Sequence, residues 1–148
     1  MGVVIHRAVL STRSRLLDEG PNILHTMLRG EPRLQAWPGP NDKSGPHFEG
    51  RALDIILLSE RDSECSIADQ LIECFLKFRE EIEWEALIYN REEWNAAGSK
   101  SARILTPDNK NPGRDFEHRT HIHIQWPTHK KQLDYSYPVA LALSEAQW

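Results

Sequence analysis

The run His121-Ile-His-Ile-Gln-Trp126, stopped by Pro127, alternates polar and apolar side chains without a break. Successive side chains of a strand point to opposite faces. The run therefore reads as a strand whose Ile122, Ile124 and Trp126 pack on a core, while His121, His123 and Gln125 look from the other face into a cleft. A second apolar run, Arg51 to Ser59, reads as a buried strand, and Asp54 interrupts it. A carboxylate in such a run is costly unless it is paired or holds a metal. His47 stands seven positions before Asp54, and Gly50 between them provides for a tight turn.

Other elements follow from local pattern. Residues 2–10, rich in β-branched side chains, predict a strand, and 11–20 a charged connection. Pro21 to Leu28 predicts a short helix, with Gly30 after its end. Residues 31–46 carry four prolines and two glycines and predict a long loop. Ile67, Leu71, Cys74, Phe75, Phe78 and Ile82 fall on one stripe of a helix over 66–82, with Ser66 as its N-cap. Trp84 to Tyr89 predicts another strand, 90–95 a polar-aromatic segment, and 96–115 a Gly/Pro/Asn-rich connection. In the tail, Val139 to Leu143 can pack as a last element.

A chain of 148 residues predicts a single domain over 1–148, long enough for a core of its own. The net charge of −4, with no basic run, argues against nucleic acid as a partner. No apolar stretch approaches the ~18 residues of a membrane span, and the first residues lack the pattern of a signal peptide, so synthesis in the cytoplasm is expected. Cys65 and Cys74, about 13 Å apart along a helix, cannot be bridged and are expected as free thiols.

Two histidines and an aspartate offer three donors suited to zinc and leave a fourth position open, the arrangement of catalytic sites. Zinc in such a site lowers the pKa of a water to about 7 and polarises a carbonyl. The chain contains no G-x-S-x-G, C-x-x-C, Walker or H-E-x-x-H motif to provide a rival chemistry. Each piece has an ordinary reading by itself: His47 as a loop residue, Asp54 as an acceptor for loop amides, His-x-His as a solvated face. Their co-occurrence favours one metal site. His6, His25 and His129 have no such partners in the pattern.

Over residues 44–126 the chain resembles a family. H-x-x-G-x-A-x-D (His47 to Asp54) followed by H-x-H (His121 to His123) is similar to the LAS zinc peptidases, named for lysostaphin, D-Ala-D-Ala metallopeptidases and sonic hedgehog. The segment Glu85 to Trp94 and the H-x-x-H-x-H spacing from His118 extend the likeness. The resemblance implies the α+β Hedgehog/DD-peptidase fold, with a small antiparallel sheet, flanking helices and a zinc cleft. It implies one Zn2+ held by His47, Asp54 and His123, with His121 in the chemistry and His118 as a further active-site imidazole. Arg51, Tyr89, Asn90, Arg91 and Trp94 are the candidate substrate-binding residues, Arg51 as a partner for a peptide carboxylate and Trp94 with a core role as its equal alternative. The dipeptidase and carboxypeptidase branch has Glu three residues before its last His ligand. Here Thr120 stands there relative to His123 and His118 relative to His121, with Glu117 out of register, which favours the H-x-H branch that includes murein endopeptidases.

The resemblance thus implies a metallopeptidase acting on peptidoglycan stem or cross-link peptides. Without a signal peptide, such a protein would reach the cell wall through phage lysis, injection or non-classical export. Two alternatives within the fold stay open, an inactive zinc-containing binding module and a cytosolic peptidase for small peptides. A structural domain with no metal at all is the third.

Overall fold

The alternating run forms the middle of a sheet. A computed structural model of the chain describes residues 3–25, 33–39, 42–95, 99–104 and 118–148. Its strands are β1 (Leu34–Gln35), β2 (Ala52–Ile56), β3 (Ala86–Tyr89), β4 (Glu92–Asn95), β5 (Ser99–Ile104) and β6 (His121–Gln125). They make one six-stranded sheet in the order β1-β2-β6-β3-β4-β5, antiparallel at every pairing. The helices are α1 (Arg7–Glu19), α2 (Asp62–Lys77), α3 (Arg79–Ile82) and α4 (Ser136–Ser144). The architecture is therefore α+β, a small antiparallel sheet with flanking helices.

Register divides the sheet into two faces. Leu53 stands opposite Ile124, Ile55 opposite Ile122, and Leu87 opposite both Ile124 and Trp94. These side chains join Ala8, Val9 and Leu16 of α1, Leu71 and Phe75 of α2, and Val139 and Leu143 of α4 in one buried cluster. On the other face Gln35, Asp54, His123 and Ile88 line one row across four strands. Two tryptophans tie helix ends to this core: Trp84 Nε1 donates to the Phe75 carbonyl and Trp126 Nε1 to the Ile82 carbonyl. Buried indole N–H groups need such acceptors.

Several elements depart from the sequence reading. The strand expected over 2–10 and the connection over 11–20 are replaced by α1, preceded by residues 3–6 in no regular element, with His6 extended. Its buried positions Ala8, Val9, Ser11, Thr12 and Leu16 follow helical spacing, but two of them are hydroxyl residues, which hid the stripe. Pro21 to Leu28 holds a 3-10 turn at Asn22–His25, and positions 26–28 lie outside the described residues. The 31–46 loop contains β1, which pairs Gln35 with Asp54. The helix expected over 66–82 begins earlier, at Asp62, after Arg61 rather than Ser66 as cap. It breaks at Phe78 before the short α3, which Glu83 ends in a left-handed conformation at φ 58°. β4 and β5 occupy parts of the segments expected as irregular, and the rest of 96–115 falls outside the described residues. Both cysteines are free. Among the described residues no helix is long and apolar enough to cross a membrane.

The early start of α2 buries a charge. Glu64 is 3 % exposed and Arg33 5 %. Glu64 accepts from Arg33, Arg61 and the Leu58 N–H. Burial alone would raise the pKa of Glu64, but these donors hold it below its ordinary value. Its contribution is complete above the ordinary carboxylate range and is lost as pH falls through the lowered folded value. Removing one partner of a buried pair strands the other charge, at a cost of ~3–5 kcal/mol. Glu64→Gln is expected to lose about that much stability at neutral pH and to flatten the acid limb of the stability–pH curve, both measured by urea denaturation.

Candidate metal centre

His47 sits in a tight chain of backbone bonds. Glu49 N–H donates to the Gly45 carbonyl, Gly50 N–H to His47 and Arg51 N–H to Pro46. Gly50 closes this turn at φ +70°, and a Cβ there would meet the Val4 carbonyl oxygen at 1.8 Å. Only glycine satisfies both demands. The His6 N–H donates to the Gly50 carbonyl at 2.9 Å, so the N-terminal segment fastens the loop that carries His47.

β2 then delivers Asp54 directly opposite His123. Asp54 Oδ1 lies 3.0 Å from His47 Nε2 and 3.1 Å from His123 Nδ1. One donor atom from each of the three residues lies within 4.8 Å of the others. Donors around one tetrahedral zinc at about 2.1 Å stand ~3.4 Å apart, so this spacing and this N,N,O set fit a divalent ion. Burial alone would raise the pKa of Asp54. The hydrogen bonds to His123 and His47, with the charges of His121 and His47, overcome it and hold the carboxyl well below the usual range. The His47 pKa is raised: burial opposes charging, but Asp54, the more distant Asp42 and the Ala36 carbonyl outweigh it. The other nitrogen of His47, Nδ1, is buried without a well-formed hydrogen bond.

Two further imidazoles complete the cluster. His121 Nε2 is 3.8 Å from Asp54 Oδ1, and its Nδ1 lies 3.0 Å from Thr120 Oγ1. The His118 ring is 4.8 Å from that of His121 and 5.7 Å from that of His123. His118 is held at φ 49°, and its carbonyl accepts from the Asn90 N–H at 2.8 Å. A non-glycine residue in this region stores strain that surrounding contacts must hold. All five expected ligand and catalytic residues thus converge.

The expected substrate-binding residues do not all join them. Tyr89 is corrected to a core residue: it is 2 % exposed, shares the face of Leu87, and its hydroxyl donates to the Leu57 carbonyl. Trp94 is likewise placed on the core side by its pairing with Leu87. Asn90 and Arg91, at φ 47° and 72°, are the two-residue turn between β3 and β4, the conformation of a type I′ hairpin. Arg51 donates to Glu49, to Glu85 and to the Trp126 carbonyl, so its guanidinium is engaged within the fold. Glu85 was not anticipated. It accepts from both Arg51 and Gln125, each within 2.8 Å, and nothing local to its sequence position announces that meeting. No family model, curated protein or solved structure matches the chain.

Binding of an ion to the folded state alone raises stability by about 2.7 kcal/mol when the ion is at a hundred times its dissociation constant. Added zinc is therefore expected to raise the melting temperature of metal-stripped protein, with reversal by chelator. Asp54→Asn and His123→Ala are expected to abolish the response. A melting curve indifferent to zinc and chelator would sink the metal site.

Proposed function

We propose that the protein is a monozinc peptidase of the Hedgehog/DD-peptidase fold that hydrolyses an amide bond in peptidoglycan stem or cross-link peptides. The observation that carries this reading is the convergence of His47, Asp54 and His123 at distances one ion spans, with His121 beside them on the outward face of β6 and His118, just before that strand, against the His121 ring. The zinc identity is supported by the imidazole and carboxylate donors. The peptidoglycan substrate is supported only by the likeness of the two motifs to the LAS peptidases.

A zinc ion in this position would supply Lewis acidity toward an amide carbonyl and a water of lowered pKa. The chain supplies the rest. Asp54, kept ionised by its imidazole neighbours, adds negative charge to the donor set. His121 stands next to the donors with its Nδ1 oriented by Thr120, which suits it to take a proton from an attacking water and return it to the leaving amine. His118, fixed through its backbone, buttresses the His121 ring. The turn at Asn90 and Arg91 is tied to His118 by the Asn90 N–H.

Incubation of zinc-loaded protein with purified sacculi and with synthetic stem peptides is expected to release new amine termini, detected by mass spectrometry, and chelator is expected to stop the release. His121→Ala is expected to lower kcat ~10²–10⁴-fold while zinc stays bound. Intact sacculi and intact peptides in the presence of zinc-loaded protein would overturn the peptidase reading and leave a zinc-containing binding module.

A further inference from the structure

We infer that Gln125, Glu85 and Arg51 form a positioning relay that decides which nitrogen of His123 carries its proton and which faces the metal. The inference rests on the metal-site reading above and goes beyond it to residues that touch no metal. Arg51 is the outermost member. Its guanidinium is always charged and can only donate, and Nη1 reaches Glu85 Oε2 at 2.8 Å. Glu85, a carboxylate, can only accept. Gln125 Nε2 lies 2.7 Å from that same oxygen, so the amide must turn its NH2 group to Glu85 and its carbonyl oxygen away.

That oxygen, Gln125 Oε1, lies 2.8 Å from His123 Nε2. An acceptor at this distance requires Nε2 to bear a proton. In the neutral ring the lone pair is then on Nδ1, which faces Asp54 Oδ1 at 3.1 Å. Where an ion replaces the Nδ1 proton that bonds Asp54, Gln125 keeps the remaining proton on Nε2, so Nδ1 is the side that faces the ion. Outer partners of this kind fix the tautomer of a metal-binding imidazole, and losing them typically costs 10–100-fold in affinity. The backbone reinforces the alignment: Glu85 N–H donates to the Gln125 carbonyl, and Trp126 N–H to the Arg51 carbonyl. His123 is buried and Gln125 half-buried, so solvent competes weakly with the bond between them, while the Glu85 side chain is 41 % exposed.

The test compares zinc dissociation constants by chelator competition. Gln125→Leu keeps the bulk and removes the acceptor, and it is expected to bind zinc ~10–100-fold more weakly than wild type while keeping its circular dichroism spectrum. The double exchange Gln125→Glu with Glu85→Gln restores an acceptor for Nε2 and a donor from position 85, and it is expected to recover most of the affinity. A long-range ¹H–¹⁵N spectrum of zinc-loaded wild type is expected to show the His123 proton on Nε2. Wild-type affinity in Gln125→Leu, no recovery in the exchange variant, or a proton on Nδ1 would each overturn the relay. Absence of zinc binding by wild type would instead overturn the metal site itself. Should Gln125→Leu fail to fold, the exchange variant and the wild-type spectrum still decide.

Discussion

The pairing of Asp54 with His123 across β2 and β6 is the contact on which the rest of the molecule is arranged. A one-residue slip in this pair would turn every side chain of β2 over, sending Asp54 into the hydrophobic cluster and Leu53 and Ile55 out of it. The same register that pairs Leu53 with Ile124 and Ile55 with Ile122 on the core face places the carboxylate against the imidazole on the other. Apolar burial and the polar cluster therefore specify one alignment together. The desolvation of Asp54 is offset by His123 and His47, so the carboxylate stays charged where an isolated one would not.

The N-terminal third, which bears no recognisable motif, acquires a purpose from this arrangement. α1 and the helices packed with it cover one face and leave the other for chemistry. The segment before α1 lies against Gly50, where no side chain fits, and its hydrogen bond there steadies the loop carrying His47. β1 adds Gln35 beside Asp54 on the sheet, and Arg33, just before it, reaches Glu64 at the start of α2. The loop that carries His47 is thus braced from the N-terminal segment, while β1 and its Arg33–Glu64 tie steady the strand that carries Asp54.

How much of this was legible in the sequence depended on the range of the interaction. Alternation in His121 to Trp126, the aspartate within an apolar run and the glycine between His47 and Asp54 are local signals, and each led to its place in the site. α1 was missed because Ser11 and Thr12 interrupt its stripe, although both are buried and the Ser11 hydroxyl bonds to the Ala8 carbonyl and the Tyr135 N–H. β1, two residues long, has no pattern to detect. Tyr89 and Trp94 became cleft candidates through the likeness over Glu85 to Trp94, with a core role open for Trp94, and the two-residue turn at Asn90 and Arg91 keeps β3 and β4 in register so that both rings share the face of Leu87. Glu85 lies forty residues from Gln125, and only tertiary pairing brings them together.

Arg51 shows how such pairing changes a chemical inference. Next to the ligands in sequence, a free guanidinium would be a natural clamp for the terminal carboxylate of a peptide. Engaged through Nε with Glu49 and through Nη1 with Glu85 and the Trp126 carbonyl, it could grip a carboxylate in a bidentate clamp only by giving up at least one of these acceptors. Within the proposed peptidase, that cost disfavours recognition of a chain end at this position and favours cleavage of a bond inside a peptide. The absence of a glutamate three residues before His123 points the same way, since the resemblance is then to the branch that includes endopeptidases. For the proposed peptidase, the spacing around His123 and the hydrogen bonds of Arg51 both favour an internal amide over a chain end.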